Sequence, residues 1–242
     1  MLIFIKLYNL NYHNYETGRF SNLFIFFFVI NNYCFSQISY GLKAGLNISE
    51  IKIESAYNTS PEQVSPLASY HVSTFLEIPL SSSISFQPNL SLQNKGYKLI
   101  YDLDKIAFDV GFGPADPSYI MKYTSIDVPI NFLYNKSISN SGTGYIGLGP
   151  YVGFNLFGKT EFIHYDGNVY RKTFDVEIGD NKDLKLMDYG VNGLLGYKFN
   201  TGLLFNVGYI LGLANIYGHH QVGGPVPIWK NRVISFGIGY QF

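Results

Sequence analysis

Length, composition and charge exclude several classes of protein before any motif is considered. The 242 residues are enough for one domain, and 17 Lys and Arg balance 17 Asp and Glu, so the chain has no basic field that would hold nucleic acid. Charged residues make up 14% of the chain and aromatic residues 17%, a balance that suits a surface facing lipid. Composition alone leaves a soluble all-β domain with a large aromatic core as an alternative.

Residues 1–36 are predicted to be a signal peptide that is removed on export. Asn22–Ile30 is an apolar segment too short to cross a membrane as a helix, and basic residues precede it, as in secretory signals. Ser36 supplies a small side chain for cleavage, which leaves a mature domain over residues 37–242. The single cysteine, Cys34, lies in the removed segment, so no internal disulfide is expected. The alternative is that the apolar segment is a buried strand.

The rest of the chain is dominated by a two-residue alternation of apolar and polar side chains, the pattern of a β-strand between two environments. Segments of about ten residues are long enough to span a bilayer when tilted. Eight of them follow in chain order: Tyr40–Ser49, Tyr70–Ile78, Ile84–Gln93, Ser125–Phe132, Ile146–Leu156, Asp188–Phe199, Leu203–Gly212 and Ile234–Phe242.

The two faces of these segments differ in a way that predicts an inside-out barrel. One face is aliphatic or aromatic, and the other is rich in Gly, Ser, Asn and Gln but poor in Lys and Glu. That polar face fits a crowded lumen better than a soluble surface. An open sheet edge in lipid would leave backbone groups unpaired, so the sheet must close. The sequence therefore predicts an all-β fold, an eight-stranded antiparallel up-and-down transmembrane β-barrel.

The connections between the segments alternate between short and long, as in outer-membrane barrels with short periplasmic turns and longer external loops. Both termini would then be periplasmic. The predicted short turns are Leu80–Ser83, Asn135–Gly142 and Asn200–Gly202, and the predicted loops are Glu54–Leu67, Asp102–Tyr119, Lys159–Leu184 and Gly218–Trp229. Pro88, Pro129 and Pro150 fall inside predicted strands, so we expect bulges there or strand ends close to them.

Six short pieces lie in order along the predicted mature chain: Gly41–Asn47, Ile126–Pro129, Gly149–Tyr151, Asp188–Gly190, Tyr209–Ile216 and Gly237–Phe242. Through them the chain from about Ile38 to Phe242 resembles the PorT-like outer-membrane β-barrel proteins of the Bacteroidetes. The resemblance implies a small barrel in the outer membrane. Most members have no assigned activity, and the one that names the family takes part in type IX secretion. The resemblance also implies that Tyr240 and Phe242 form the terminal signal read by the assembly machinery.

Polar side chains on the inward face are the candidate site. Charges in a narrow lumen are unfavourable unless they are paired or hydrated, so we expect a network of opposite charges that plugs the barrel. A proton or solute path is the functional alternative. The predicted lumen network consists of Lys43, Glu77, Asp127, Asn131, Asp188, Asn192 and Lys198.

Other side chains give weaker indications of chemistry. His71 and Ser73 share an inward face with Glu77, but residues two apart on a strand reach each other poorly, so we predict no catalytic site. His164, His219 and His220 lie on predicted loops without a ligand-spacing motif, and we predict no metal site and no cofactor. A girdle at the periplasmic interface is expected from Tyr40, Tyr134, Tyr197, Phe199, Tyr240 and Phe242.

The most favoured function is a non-enzymatic structural or accessory protein of the outer membrane. Its predicted partners are outer-membrane lipid and the assembly machinery, and nucleic acid is excluded. Subunits of a type IX-like secretion system are a further predicted partner, by resemblance. A narrow channel, a lumen-site lipid-modifying enzyme and a soluble lipocalin-like binder are the alternatives left open.

Overall fold

The computed structural model describes residues 38–54, 63–100, 118–165, 169–218 and 227–242. Ser39–Phe242 form one compact unit. The predicted signal peptide lies outside the described residues, as do His219, His220 and the side chain of His164. No helix in these ranges is long and apolar enough to span a membrane.

The described residues form β-strands that are joined by turns and by longer connecting segments. Every pairing between strands is antiparallel. The strands are β1 (Ser39–Glu54), β2 (Gln63–Pro79), β3 (Ile84–Ile100), β4 (Ser118–Ser139), β5 (Gly142–Tyr165), β6 (Val169–Asp175), β7 (Met187–Phe199), β8 (Leu203–Gly212) and β9 (Ile228–Gln241).

Eight of these strands close into a ring. Each ring strand pairs with its neighbours in chain order, β5 pairs directly with β7, and β9 returns to pair with β1. Within the described residues β6 pairs with β5 alone and stands outside the ring. The prediction of an eight-stranded antiparallel up-and-down barrel is therefore confirmed, with one added strand that the sequence did not indicate.

The barrel wall has its polar side chains inside and its apolar side chains outside. Asn47 and Asp127, which point into the ring, are fully buried at 0% exposure. On β9 the outward residues Ile234, Phe236 and Ile238 are 41%, 47% and 49% exposed. A soluble sandwich would show the opposite arrangement, so the predicted inside-out orientation is confirmed.

The two ends of the barrel are built differently. We call the end with the tight turns and Phe242 the turn end, and the opposite end the loop end. At the turn end, the connections at 80–83 and 200–202 are as short as predicted, whereas β4 and β5 extend until only residues 140 and 141 join them. The predicted turn Asn135–Gly142 was therefore too long.

Toward the loop end the pattern of the strands reverses. On β1 the inward positions change from Asn47 and Ser49 to Ile51, while the outward positions change from Ile48 to Glu50. The loop-end part of the barrel thus has an apolar interior and a charged exterior, as in a water-soluble protein. The same side-chain periodicity continues through both parts because it depends only on the backbone.

An apolar cap fills the interior at the loop end. Two segments, residues 176–186 between β6 and β7 and residues 213–217 between β8 and β9, fold inward to build it. The backbone N–H of Lys185 donates to Ile216 at 2.9 Å, and that of Ile216 donates to Trp229 at 2.9 Å. The buried cap residues are Ile51, Tyr97, Leu99, Tyr123, Val176, Leu184 and Ile216.

The prediction of a long loop over Lys159–Leu184 was wrong in part. β5 continues to Tyr165, β6 returns beside it, and residues 176–186 belong to the cap. The outward residues Lys159 and Glu161 are polar, so this part of β5 lacks the alternation that identified the other strands. A strand that has left the lipid no longer needs an apolar outer face.

The prediction of bulges or strand ends at the prolines was also wrong. The register is the same on both sides of each proline: Pro88 pairs with Ile130, Pro129 with Tyr151 and Pro150 with Val191. Each proline removes one ladder donor, and the register continues past it without a shift. The irregularities lie elsewhere: between Pro66 and His71, between Thr124 and Ser125, and between Ser137 and Ser139.

Candidate functional site

A fully buried charge cluster lies in the lumen, below the apolar cap. Lys95 on β3 points inward, and its ammonium lies 2.7 Å from Asp127 Oδ2 on β4. The same ammonium lies 3.7 Å from Asp188 Oδ2 on β7. All three side chains are 0% exposed. We call Lys95, Asp127 and Asp188 the Lys95 cluster.

Uncharged hydrogen-bond donors stabilise the Asp188 carboxylate, which lies farther from Lys95 than Asp127 does. Tyr151 on β5 donates its hydroxyl to Asp188 Oδ2 at 2.9 Å, and Asn231 on β9 donates to the same oxygen at 2.7 Å. Ser125 donates to Asp127 Oδ1 at 2.9 Å. Because a buried carboxylate is unfavourable without donors, these groups are what allow two acids to share one lysine.

The cluster links many strands of the ring and reaches the cap. Tyr123 on β4 donates its hydroxyl to Asn231 Oδ1 at 2.6 Å, and its ring belongs to the cap. Through this chain of contacts β3, β4, β5, β7 and β9 are joined across the lumen. A polar network that spans several strands in this way fixes their relative positions.

A second ion pair lies near the turn end. Lys198 on β7 lies 3.2 Å from Glu77 Oε2 on β2. Asn135 on β4 donates to Glu77 Oε1 at 3.4 Å. Lys43 on β1 is close by; its ammonium donates to Asn89 at 3.2 Å and lies 4.6 Å from the centre of the Phe75 ring. Charge in this layer is therefore paired, or bonded to an amide.

The layer between the two ion-pair groups is built mainly of amide, hydroxyl and imidazole side chains. His71 Nδ1 lies 2.9 Å from Asn47 Oδ1, and Asn47 donates to Gln93 Oε1 at 2.7 Å. On the other side of the lumen Asn192 donates to Asn131 Oδ1 at 2.8 Å. These side chains leave a polar cavity of only about 50 Å³. That space accommodates a few water molecules at most.

The structure brings six of the seven predicted lumen residues together in three groups, whereas Lys43 bonds Asn89. Asp127 and Asp188 share Lys95, Glu77 pairs with Lys198, and Asn131 bonds Asn192. The predicted role of these residues as a plug stays a prediction. Lys95 itself was missed, although it continues the inward alternation of β3 two residues beyond Gln93. Extending the inward pattern past the last apolar outward residue would have found it.

A family model described as "Outer membrane protein beta-barrel domain" matches residues 31–218, which is more than half of the chain. The chain belongs to this family. It is therefore an outer-membrane β-barrel protein, and the inside-out wall described above is the surface by which such a barrel contacts lipid.

Solved structures of outer-membrane proteins resemble this outer-membrane β-barrel at low identity. Ail, the attachment invasion locus protein of Yersinia pestis, is 11% identical; the match covers 85% of this chain and 99% of Ail, with a TM-score of 0.37. Neisserial surface protein A is 11% identical over 86% of this chain and 100% of its own, with a TM-score of 0.39. No curated protein matches the chain.

The inward residues considered for catalysis in this outer-membrane β-barrel have other partners. His71 contacts Asn47, and Glu77 contacts Lys198 and Asn135. Within the described ranges no group of three or more His, Cys, Asp or Glu side chains is arranged to hold a metal ion. The histidines of the predicted loops lie outside what the structure describes.

Aromatic side chains surround the turn end of the outer-membrane β-barrel. Phe242 stacks on Tyr40 with ring centres 5.1 Å apart and meets Tyr240 edge-on at 5.0 Å. The backbone N–H of Phe242 donates to Tyr40 at 2.8 Å, which fixes the end of β9 against β1. Tyr197 and Phe199 form a further pair with centres 4.8 Å apart. This arrangement suits the predicted interface girdle, since rings of this kind prefer the headgroup level.

Ion pairs on the outer wall lie at the loop end of the outer-membrane β-barrel, above the apolar surface. Glu54 lies 2.9 Å from the ammonium of Lys230 and 3.0 Å from that of Lys52. The hydrogen bond from Lys230, followed by that from Lys52, lowers the pKa of Glu54. In the segment before β7, the hydrogen bond to Glu177 raises the pKa of Lys182. Both groups are exposed, so their contribution to stability is small.

Proposed function

We propose that this outer-membrane protein is a closed barrel with a structural or accessory role, which presents its loop-end structure at the cell surface and conducts no solute. One observation carries the proposal: the Lys95 cluster, the amide layer and the Glu77–Lys198 pair follow one another along the lumen. The apolar cap lies beyond them. A pore would need a continuous water-filled path, and eight strands leave room for little more than side chains.

The direction of the barrel in the membrane follows from its two ends. The turn end carries the tight connections and Phe242, and the loop end carries the long connections and β6. In outer-membrane barrels the short turns face the periplasm and the longer connections face outward. The loop end, with its apolar core and charged exterior, is suited to water outside the cell.

A conductance measurement tests the closed lumen. The full-length protein, refolded in detergent, would be added to planar bilayers beside a general porin as positive control. We expect no stable conductance steps, because the lumen charges are paired and the interior is filled. Reproducible steps from the wild-type protein would overturn the proposal, and loss of those steps on blocking the loop end would indicate a channel.

A labelling experiment tests the direction. Single cysteines would be placed at Thr173 on β6 and at Ser141 in the turn between β4 and β5, both in a Cys34→Ser background. A large membrane-impermeant maleimide should label Thr173→Cys in intact cells, and Ser141→Cys only after the outer membrane is permeabilised. The reverse result would show that the barrel has the opposite direction in the membrane. If neither site were labelled in intact cells that contain folded protein, the loop end would not be at the cell surface.

The PorT-like group and the secretion role that it implies stay predictions. No contact among the described residues favours a secretion partner over another. Deletion of the gene with an assay of secreted proteins would test this role directly. An unchanged set of secreted proteins would leave the structural or accessory role.

A further inference from the structure

β6 differs from every ring strand in how little of it is packed. All seven residues of Val169–Asp175 are exposed, on both faces of the strand. Within the described residues β6 pairs with β5 alone, so its other edge carries unpaired backbone groups. An exposed edge of this kind is a template for a further strand.

The hydrogen-bond pattern identifies which backbone groups of β6 are free. The N–H of Val176 donates to Gly158 at 3.0 Å, just after the pair of Asp175 with Lys159. In an antiparallel ladder the residues alternate between groups that point to the partner and groups that point away. The residues that point away from β5 are therefore Val169, Arg171, Thr173 and Asp175.

The side chains beside this free edge form a pattern of their own. Tyr170 and Phe174 are 59% and 48% exposed and lie on one face of β6, with Lys172 between them. The Lys172 ammonium lies 4.8 Å from the centre of the Phe174 ring. Arg171 adds a second cation on the opposite face. A strand that pairs with this edge would lie beside Lys172 at its centre. Tyr170 and Phe174 would lie beside it two positions away on either side.

A second copy of the protein that pairs over all seven residues of β6 is a poor occupant of the edge. Antiparallel self-pairing over all seven residues places Val169 opposite Asp175 and sets Lys172 against Lys172. Like charges directly opposite each other destabilise a strand pair. An acidic residue at that position would be stabilised instead.

We propose that the free edge of β6 docks an extended segment of a partner protein with an acidic residue opposite Lys172 and apolar residues two positions to either side. The segment adds a strand through the outward backbone groups of Arg171 and Thr173, and its side chains select the register. The inference rests on the proposed function only for the presence of β6 outside the cell; the docking itself is a property of the folded chain.

A proline substitution tests the edge. The probe is a dye-labelled, blocked seven-residue peptide with glutamate in the middle, valine two positions to either side and threonine elsewhere, titrated with the full-length protein in detergent. Thr173→Pro removes a donor that points away from β5, so the β5–β6 ladder should survive while peptide binding is lost. Thr173→Val keeps the donor and should bind like the wild type. Equal binding by wild type and Thr173→Pro would overturn the proposal.

A charge exchange tests the register. Lys172→Glu should weaken binding of the glutamate peptide about tenfold and strengthen binding of a lysine-centred peptide by a similar factor. Peptide affinity that changes neither with Lys172→Glu nor with lysine in place of the central glutamate would overturn the choice of an acidic partner. Dimers joined through β6 would also overturn it.

The two proposals can fail separately. The peptide titration needs only the folded protein, which heat-dependent gel mobility confirms for each variant. The location and direction are tested by the cysteine labelling. Peptide binding with inverted labelling would refute the surface location alone, and correct labelling without peptide binding would refute the docking edge alone.

Discussion

Lys95 shows how a single buried cation can determine the interior of a membrane barrel. It is the ammonium shared by Asp127 and Asp188, and all three side chains are removed from water. Removing one partner from such a group leaves an uncompensated buried charge, which is far less favourable than an exposed broken pair. The cluster is therefore expected to hold the barrel in one arrangement rather than merely to fill space.

Substitution of Lys95 tests this role. Lys95→Met should lower the free energy of unfolding by about 3–5 kcal/mol, because two buried carboxylates lose their cation. Adding Asp127→Asn and Asp188→Asn should restore much of the loss, since no buried charge then remains. The measurement is urea unfolding in lipid vesicles, followed by heat-dependent gel mobility.

A partly exposed pair on the outer wall supplies the control for Lys95. Lys230→Met breaks the contact with Glu54 and should change the free energy of unfolding by less than about 1 kcal/mol. If Lys95→Met unfolded at the same urea concentration as Lys230→Met, the lumen cluster would not be a stabilising unit.

Gly149 marks a position where the wall of the barrel has no room for a side chain. A Cβ there would overlap the backbone carbonyl of Ile130 on β4, and a backbone atom cannot rotate away as a side-chain end can. Gly193 on β7 is the matched control, since a Cβ there would meet nothing closer than 3.9 Å. Gly149→Ala should lower the free energy of unfolding by about 1–3 kcal/mol in the same urea assay. Gly193→Ala should leave it within about 1 kcal/mol; similar values for the two would contradict the tight contact.

The strands of this protein have an apolar outer face within the lipid and a polar outer face beyond it. Only the part with the apolar outer face was predicted as strand from the sequence. Within the lipid, outward residues must be apolar, so alternation identified the strands and placed Asp127, Asp188 and Glu77 inside. Beyond the lipid the outward residues are polar, as Lys159 and Glu161 are, so an apolar outer face no longer marks a strand. The extended ends of β3, β4 and β5, the added strand β6 and Lys95 were all missed for this one reason.

Which lumen residues meet could not be predicted from the alternation alone. The inward position of Glu77 is local information, whereas its contact with Lys198 depends on the register between distant strands. The cap was equally unpredictable, because Leu184 and Ile216 belong to connections whose inward folding depends on the ring being complete. Long-range closure is decided by the whole set of pairings, not by any segment.

The cap should behave as a local folding unit. Leu184→Ala removes a side chain that is 1% exposed, whereas Leu186→Ala removes one that is 50% exposed in the same segment. A cavity in the cap should weaken it by about 2 kcal/mol or more, so hydrogen exchange at Gly179 and Lys185 should accelerate about 30-fold in Leu184→Ala. Leu186→Ala should exchange like the wild type. Equal exchange in both variants would show that the segment is not held by the cap.

At the scale of the whole barrel, one continuous sheet combines two kinds of wall. The part near the turn end has a polar interior and an apolar exterior that suits lipid. The part near the loop end has an apolar interior, including Ile51 and Ile216, and a charged exterior that suits water. The boundary between them on β1 lies between Ile48 and Glu50, which fixes the depth of the barrel in the membrane.

The most direct test of this account is a nitroxide scan of β9 in lipid vesicles. In a Cys34→Ser background, single cysteines at Ile234, Ser235, Phe236 and Ile238 would be spin-labelled, and their collisions with oxygen and with a water-soluble nickel complex compared. Oxygen should dominate at Ile234, Phe236 and Ile238, and should fall at Ser235, which faces the filled lumen. Nickel-dominated collisions at the three apolar positions would contradict an inside-out barrel embedded in lipid.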